Sequence, residues 1–162
     1  MARMKTEGIE DVSLMFGKLA SAGVGVAKMA VYDGAKVMAD EIRREIGALP
    51  QEKERHLTGG EKYAVISRRD KKDLAAHLGI TKIQHSTTGT RAVIGFAGYG
   101  SRKTKNYRNG LPMAMLARSL QKGTSVREKY PFIDRAIGQA SEKAMNAMAA
   151  AAERVIAKII AE

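Results

Sequence analysis

Apolar side chains recur at intervals of three and four residues along two long stretches of this sequence. The first covers residues 24–46 and the second residues 131–161, whose latter part is rich in alanine. This spacing places apolar side chains on one face of an α-helix and leaves the charged side chains on the other faces. The pattern therefore predicts two long amphipathic helices. A shorter helix over residues 9–19 is expected before them, separated from the first by the glycine-containing segment 21–25.

Gly34 lies inside the first long stretch. Glycine within a helix costs up to about 1 kcal/mol relative to alanine. We therefore expect another backbone to pack closely against the helix at this position.

Two shorter helices are predicted from the signals at their ends. Ser67 and Asp70 have the spacing of a capping box, in which the hydroxyl and the carboxylate each bind a free backbone N–H. Gly79 is expected to end that helix, because positive φ is least costly for glycine. Pro112 suits the first turn of the next helix, which Gly123 is expected to end.

A segment with strand character lies between these two short helices. Residues 80–86 and 90–99, joined by a turn at 87–89, form a candidate β-hairpin in which Ile94 and Phe96 share a face. The predicted fold class is therefore α+β: a small antiparallel sheet packed by two long helices, about 24–46 and 131–161, plus the shorter helices. A single domain over residues 1–162 is expected, with exposed loops at about 48–66 and 98–111.

The last helix is too long for so small a sheet. Its 31 residues would span roughly 46 Å. Part of its apolar face is therefore expected to pack on a neighbouring copy of the chain.

Length and composition limit the class of protein. A chain of 162 residues with 44% hydrophobic and 28% charged residues is typical of one globular domain. It holds no apolar run near the roughly 18 residues of a membrane span, and its first residues show no signal-peptide pattern, so neither membrane insertion nor secretion by that route is expected. The absence of cysteine excludes disulfides and fits a reducing cytoplasm.

The formal net charge of +11 is concentrated in one part of the chain. Residues 101–130 contain eight lysine and arginine residues but only one acidic residue, Glu128. Such an excess of positive charge attracts polyanions, although it is equally consistent with a solvated face that keeps copies apart. The candidate contacts for DNA or for an acidic partner are Arg102, Lys103, Lys105 and Arg108, on an exposed arm that also carries Tyr99 and Tyr107.

Catalytic, cofactor and metal sites have no support in the sequence. His56, His77 and His85 lack the spacing of a metal-binding helix, and the serines and acids show no nucleophile–base order. The glycine-rich segment before Ser101 lacks the lysine that a phosphate-binding loop places directly after its last glycine. We therefore predict a protein that is not an enzyme and binds no cofactor or metal.

Four motifs in a fixed order resemble a known family. The segment from Gly110 has the pattern G-x-P-x-A-x-x-A-R-S-x-x-x-G-T-S, and P-F-x-x-x-A follows from Pro131; LGITKI and GFAGYG…KTK precede them. Over residues 74–137 the chain resembles the neck or tail-completion (minor tail) proteins of tailed phages, typified by the gene-ten product of coliphage Hong Kong ninety-seven. It departs from many relatives at Gln121-Lys122, where they carry an acidic residue before Gly-Thr.

The resemblance implies a structural virion protein of a long-tailed phage. Such proteins form a homo-oligomeric ring, commonly sixfold, at the head–tail junction around the DNA channel, and are assembled in the host cytoplasm. The implied partners are further copies of the chain, a head-closure or connector protein, a tail terminator or tail tube protein, and genomic DNA in the lumen, with no membrane. Docking is assigned to Arg127 and Lys129 in the linker, and to Phe132 and Ile133, which would also anchor the last helix.

Other functions remain open at this point. A stand-alone basic nucleic-acid-binding protein would explain the charge, and a tail terminator or another minor tail component would fit the composition equally well. A phage enzyme acting on the cell wall would require clustered acids or histidines, which this sequence scatters.

Overall fold

The computed structural model describes residues 9–51, 66–125 and 127–161. Most of the predicted loop 48–66 therefore lies outside the described residues. Within them the chain is α+β, as predicted, with two long helices and short antiparallel strands. The elements are α1 (Ile9–Ala48), α2 (Arg68–Ala76), β1 (Leu78–Ile80), β2 (Gln84–Ser86), β3 (Gly89–Arg91), β4 (Ile94–Phe96), α3 (Met113–Lys122) and α4 (Phe132–Ala161). None of the described helices is both long enough and apolar enough to cross a membrane.

The helices α1 and α4 pack side by side in antiparallel orientation. This pair is here called the helical hairpin, although the other elements lie between the two helices in the sequence. Arg154 of α4 binds Asp33 of α1 at 2.6 Å, and the buried Ala144 and Ala151 line the contact. The partner of the last helix is thus α1 of the same chain, so the argument from sheet size does not require a neighbouring copy. Because Gly34 lies against Met148, the register places Ala161 near residue 21. The first dozen or so residues of α1 therefore extend beyond the end of α4.

The predicted break in the first helix is wrong, because α1 is continuous from Ile9 to Ala48. Gly23 and Gly25 lie inside it with no neighbouring atom near their Cβ positions. Each isolated glycine lowers helix stability by only about 1 kcal/mol, which the surrounding helix can offset. The expected close approach at Gly34 is confirmed: a Cβ there would lie 2.8 Å from Met148 Sδ and 3.2 Å from the Ala144 carbonyl oxygen.

The main core lies at the end of the hairpin where α1 ends and α4 begins. Phe132, the first residue of α4, is fully buried and meets Phe96 edge-on, with ring centroids 6.1 Å apart. Lys71 of α2 donates to the carbonyls of Gly47 and Leu49, which satisfies acceptors left free at the end of α1. The buried side chains around Phe132 are Ile42, Ile46, Leu49, Ile66, Leu74, Leu78, Leu111, Met113, Leu116, Ala117, Leu120 and Ala136.

The predicted β-hairpin is divided into two two-stranded ladders. The strands β1 and β4 pair from Leu78 opposite Phe96 to Ile80 opposite Ile94, and β2 pairs with β3 from Gln84 to Ser86. Three residues (81–83) separate β1 from β2, but only two (92–93) separate β3 from β4. The extra residue shifts the register by one, as a β-bulge does, and ends the continuous pairing that the sequence suggested.

The helix ends follow the predictions in part. Ser67 caps α2 by accepting from the Asp70 N–H at 3.1 Å, and Gly123 (φ 73°) ends α3 as expected. Gly79 does not end α2, because it pairs with Gly95 in the first ladder. The helix closes earlier, where the N–H of His77 donates to a carbonyl one turn back.

We predict that Gly34→Val lowers the free energy of unfolding by about 1–3 kcal/mol, because the branched side chain overpacks the contact with Met148 and Ala144. The matched control is Gly25→Val, in the same helix with open space around its Cβ position, where the change should be close to neutral. Urea unfolding followed by circular dichroism measures both. Equal effects of the two substitutions would contradict the close approach of α1 and α4.

Candidate polyanion-binding loop

The predicted basic arm is a closed surface loop, here called the basic loop and comprising residues 101–110. Its base is joined by two backbone hydrogen bonds, from the Gly100 N–H to the Leu111 carbonyl at 2.8 Å and from the Leu111 N–H to the Arg102 carbonyl at 3.0 Å. Inside it, Thr104 and Tyr107 exchange backbone hydrogen bonds, both at 3.1 Å. The loop thus has an internal structure that defines where its side chains lie.

Two glycines allow the base of the loop to close. Gly110 has φ +105°, and a Cβ there would collide with the Gly100 carbonyl oxygen. A Cβ at Gly100 would lie 3.0 Å from Asp73 Oδ2 and closer still to the Met113 methyl group. Both positions therefore require glycine, the first because of its backbone conformation and both because of the space.

Helix α2 binds the first residue of the loop from both sides. Asp73 Oδ2 accepts from the Ser101 N–H at 2.6 Å and from its hydroxyl at 2.7 Å. Arg69 donates to the Ser101 hydroxyl oxygen at 2.7 Å and to the Ser101 carbonyl at 2.6 Å. Arg69 and Asp73 are four residues apart on a helix, so they share a face and can reach the same residue.

An ion pair between a half-buried arginine and a buried aspartate forms the second connection to α2. Arg102 lies 3.0 Å from Asp70, whose residue is only 2% exposed. Removing one partner of such a pair leaves a buried charge without its counter-charge, which is strongly destabilising. Of the four cations predicted to contact a polyanion, Arg102 is therefore committed to holding the loop in place.

The other three predicted cations, Lys103, Lys105 and Arg108, are exposed. None of the three forms an ion pair with any other residue in the described ranges. Tyr107 is half-buried against the core and its hydroxyl donates to Met115 Sδ at 3.4 Å, so it is not available to stack on a base. The arrangement can attract an anion by charge, and it is suited to phosphate contact without sequence preference.

The predicted docking residues lie on the linker between α3 and α4 and in the first turn of α4. Lys129 is exposed, whereas Arg127 is half-buried in a tight turn bonded to Thr124 through the backbone. Phe132 has no exposed surface to offer a partner, so its assignment to docking is corrected: it anchors α4 in the core. Ile133 is half-buried, and its N–H donates to Gln121 Oε1 at 3.0 Å.

The residues that hold the basic loop were missed by the sequence reasoning. The sequence pattern predicted only a helix-capping role for Asp70. It predicted no role for Asp73 or Arg69. The available signal was the alternation of acids and bases in RRDKKD on one short helix. This pattern alone does not reveal which distant segment the side chains bind.

The hydrogen bonds between Asp73 and Ser101, here called the tether, affect the pKa of the Asp73 carboxyl group. Burial by itself raises the pKa of Asp73, but the hydrogen bonds from Ser101 and the positive charges of His77 and Arg69 outweigh it and lower the pKa below its ordinary value. Among the described residues, no cluster of three or more histidine or acidic side chains could hold a metal ion. The described contacts that hold the basic loop are an ion pair and hydrogen bonds.

We predict that the Ser101 amide resonance titrates with a midpoint below about pH 3.9, the ordinary pKa of aspartate. The pKa of Asp73 is lowered in the folded state. The ionised carboxylate therefore contributes its full stabilisation of the fold at a pH above the ordinary pKa of aspartate. That contribution is lost as the pH falls through the lowered pKa of the folded state. Two-dimensional NMR measures the curve; Asp73→Asn should abolish the titration and Asp134→Asn should leave it unchanged. A midpoint above the ordinary value would contradict the tether.

No protein-family model matches this chain, no curated protein matches it, and no solved structure matches it.

Proposed function

We propose that this chain is a structural virion protein of a long-tailed phage that assembles with itself into a ring at the head–tail junction, as a neck or tail-completion protein around the DNA channel. The proposal is supported by the motif resemblance over residues 74–137. The observation that carries it is a loop within that same stretch, which holds three exposed cations at a defined place on the surface.

A ring multiplies a weak contact. Each copy contributes Lys103, Lys105 and Arg108 on a loop whose base is bonded to α2. Exposed cations bind phosphate without regard to base sequence. When several identical loops face one DNA, every contact after the first forms at high effective concentration. Such a ring could therefore hold DNA through many weak contacts and without sequence preference, as a channel requires.

The glycines of the quoted motifs have roles in shaping this region, which also supports the proposal. Gly98, Gly110 and Gly123 adopt positive φ, at 77°, 105° and 73°. Gly100 lies directly against Asp73. The spacing of the motifs therefore corresponds to the turns that form the basic loop and join α3 to α4. A chain with the same motif order would be expected to form the same turns.

The linker after α3 provides the surface for docking onto neighbours. Its exposed Lys129 lies beside Tyr130, whose ring is covered by the Arg135 guanidinium at 4.4 Å from the ring centroid. The Tyr130 N–H donates to the Leu120 carbonyl at 2.7 Å, which fixes the end of the linker on α3. Acidic surfaces of a connector or tail protein are the partners that this basic linker suits.

The direct test is to image phage particles produced with the intact chain and with the chain deleted. Cryo-electron microscopy of the first should locate a ring of this chain between head and tail, with the basic loops facing the lumen. Deletion should leave heads and tails that do not join stably. The proposal fails if the chain is absent from purified particles, or if deletion leaves complete particles. In either case a stand-alone nucleic-acid-binding protein would become the better explanation of the charge.

We predict that the triple replacement of Lys103, Lys105 and Arg108 by alanine changes the salt dependence of DNA binding. The slope of the logarithm of the DNA association constant against the logarithm of the salt concentration should fall by about 2.7 in magnitude, since each phosphate contact contributes about 0.9. Arg102 is not replaced, because it is paired with Asp70. If Arg102 also contacted a phosphate, the four contacts of the loop would contribute about 3.6 to the slope. Fluorescence anisotropy with duplex DNA measures the slope.

The matched control for this triple variant is Lys28, Lys36 and Lys158 together replaced with alanine. All three are exposed on the helical hairpin, so the loss of net charge is the same. Equal loss of slope in the two triple variants would show that binding follows the overall charge and not the basic loop.

A further inference from the structure

Tyr99 is an exposed aromatic side chain at the base of the basic loop. It is 58% exposed, and it precedes Gly100, whose N–H donates to the Leu111 carbonyl where the loop closes. A Cβ on Gly110, at the other end of the loop, would lie 3.3 Å from Tyr99 Cβ. The Tyr99 side chain therefore leaves the backbone directly beside the base of the loop, with most of its surface open to solvent.

The other described tyrosines do not present a free ring at this place. The Tyr107 hydroxyl donates to a methionine of α3, and its ring is half-buried against the core. The Tyr130 ring is covered by the Arg135 guanidinium. Tyr32 is exposed, but it lies 16 residues before the end of α1, or about 24 Å along the helix from the end that α2 contacts. Among the described tyrosines, the basic loop therefore has one free ring beside it.

The residues next to Tyr99 leave its ring accessible. Gly98 and Gly100 flank it in the sequence, and neither has a side chain that could cover the ring. Gly98 has a φ of 77°, a backbone conformation in which a residue with a side chain would be strained. The turn that positions Tyr99 thus also requires a small neighbour.

Three cations lie close to this ring along the chain. Arg108 is two residues before Gly110, so their Cα atoms are at most about 7 Å apart. Lys103 follows the residue whose carbonyl bonds the base of the loop, and Lys105 lies in the turn at the far end of the loop. The two carboxylates of α2 that contact the loop are already bound to its own residues. The surface beside Tyr99 is therefore positively charged.

We infer that Tyr99 and the basic loop bind single-stranded nucleic acid, with an unpaired base stacked on the Tyr99 ring and neighbouring phosphates on Arg108, Lys103 and Lys105. Stacking on an aromatic side chain accepts any base, because every base has a π-face, and a basic surface beside the ring holds the strand. The faces of the bases in a duplex are covered by their neighbours, so a free aromatic ring has no partner there. The combination of a free ring with unpaired cations therefore favours a single strand over a duplex or an acidic protein surface.

This inference goes beyond the proposed contact of a ring with duplex DNA, and it does not rest on the place of the chain in a particle. Contact with a duplex through the three cations needs no aromatic side chain. If stacking fails, the salt-dependence prediction for duplex DNA still stands. If the chain is absent from phage particles, binding of single strands through Tyr99 is unaffected. The two proposals can therefore fail separately.

The first test measures binding of the full chain to a short oligothymidylate by fluorescence anisotropy. Tyr99→Ala should raise Kd at least about fivefold, the lower end of what stacking of one base contributes. The slope of the logarithm of Kd against the logarithm of the salt concentration should stay the same, because no charge is lost. Tyr99→Phe should bind like the wild type, since it keeps the aromatic ring. Circular dichroism confirms that both variants are folded.

Two controls separate base stacking from general attraction to charge. Tyr32→Ala should leave Kd unchanged, although Tyr32 is 47% exposed and has Lys28 and Lys36 one helical turn away on either side. The same sugar–phosphate strand without bases should bind the wild type and Tyr99→Ala equally. Equal losses in the two alanine variants would overturn the inference, as would an equal loss on the strand without bases. It would also be overturned if the wild type did not bind oligothymidylate or if Tyr99→Ala bound it as well as the wild type.

The second test uses the absence of tryptophan from the sequence, which leaves tyrosine as the fluorescent side chain. Oligothymidylate should quench part of the tyrosine emission of the wild type, because a stacked base contacts the Tyr99 ring. Tyr99→Phe should bind with a similar Kd but lose that quenching. Undiminished quenching in this variant would show that the base does not stack at this residue.

Discussion

The close approach of α1 and α4 is the constraint on which the rest of the structure depends. At Gly34 the two helices are near enough that a single added methyl group would meet Met148 and the Ala144 carbonyl. The contact is lined by alanines, each of which buries little apolar area. Its stability must therefore come from length and close packing, and it brings the end of α1 and the start of α4 side by side. The main core lies where those two ends meet.

From that core the order of the chain extends outward to the basic loop. Helix α2 has only nine residues, too few to be stable alone. It is held by its Ser67 cap, by the buried Leu74 and by Lys71, which binds the carbonyls at the end of α1. Only after α2 is fixed can Asp70 and Asp73 hold the loop. The ion pair of Arg102 with Asp70 adds less net stability than its distance suggests, because the buried carboxylate loses its water. Its contribution here is to position the loop.

The sequence was most informative where periodicity acts over many residues. The residues 131–161 were predicted as one helix and form α4 from Phe132, and Gly123 ends α3 as expected. Local signals failed where tertiary contacts decide the outcome. Gly23 and Gly25 suggested a break, yet the helix continues through them, because two open glycines cost less than the continuous helix provides. The pattern of side chains did not locate the one-residue shift in the β-hairpin.

The candidate site was only half predictable for a similar reason. Lys103, Lys105 and Arg108 are exposed as expected, because charged side chains on a surface loop are better solvated by water than by the core. Arg102 belongs to the same run of charge but pairs with the nearly fully buried Asp70. Composition cannot distinguish it from its neighbours, because the difference lies in a carboxylate 32 positions away in the sequence. Such pairings require the fold.

The position of the basic loop has a consequence for assembly. The loop is attached through α2 to the core, so its exposed cations Lys103, Lys105 and Arg108 lie near the core of each copy. Neutralising these cations would lower the repulsion between neighbouring cores. Contacts between cores, which a ring requires and which the net charge opposes, would then be favoured mainly where a polyanion is present.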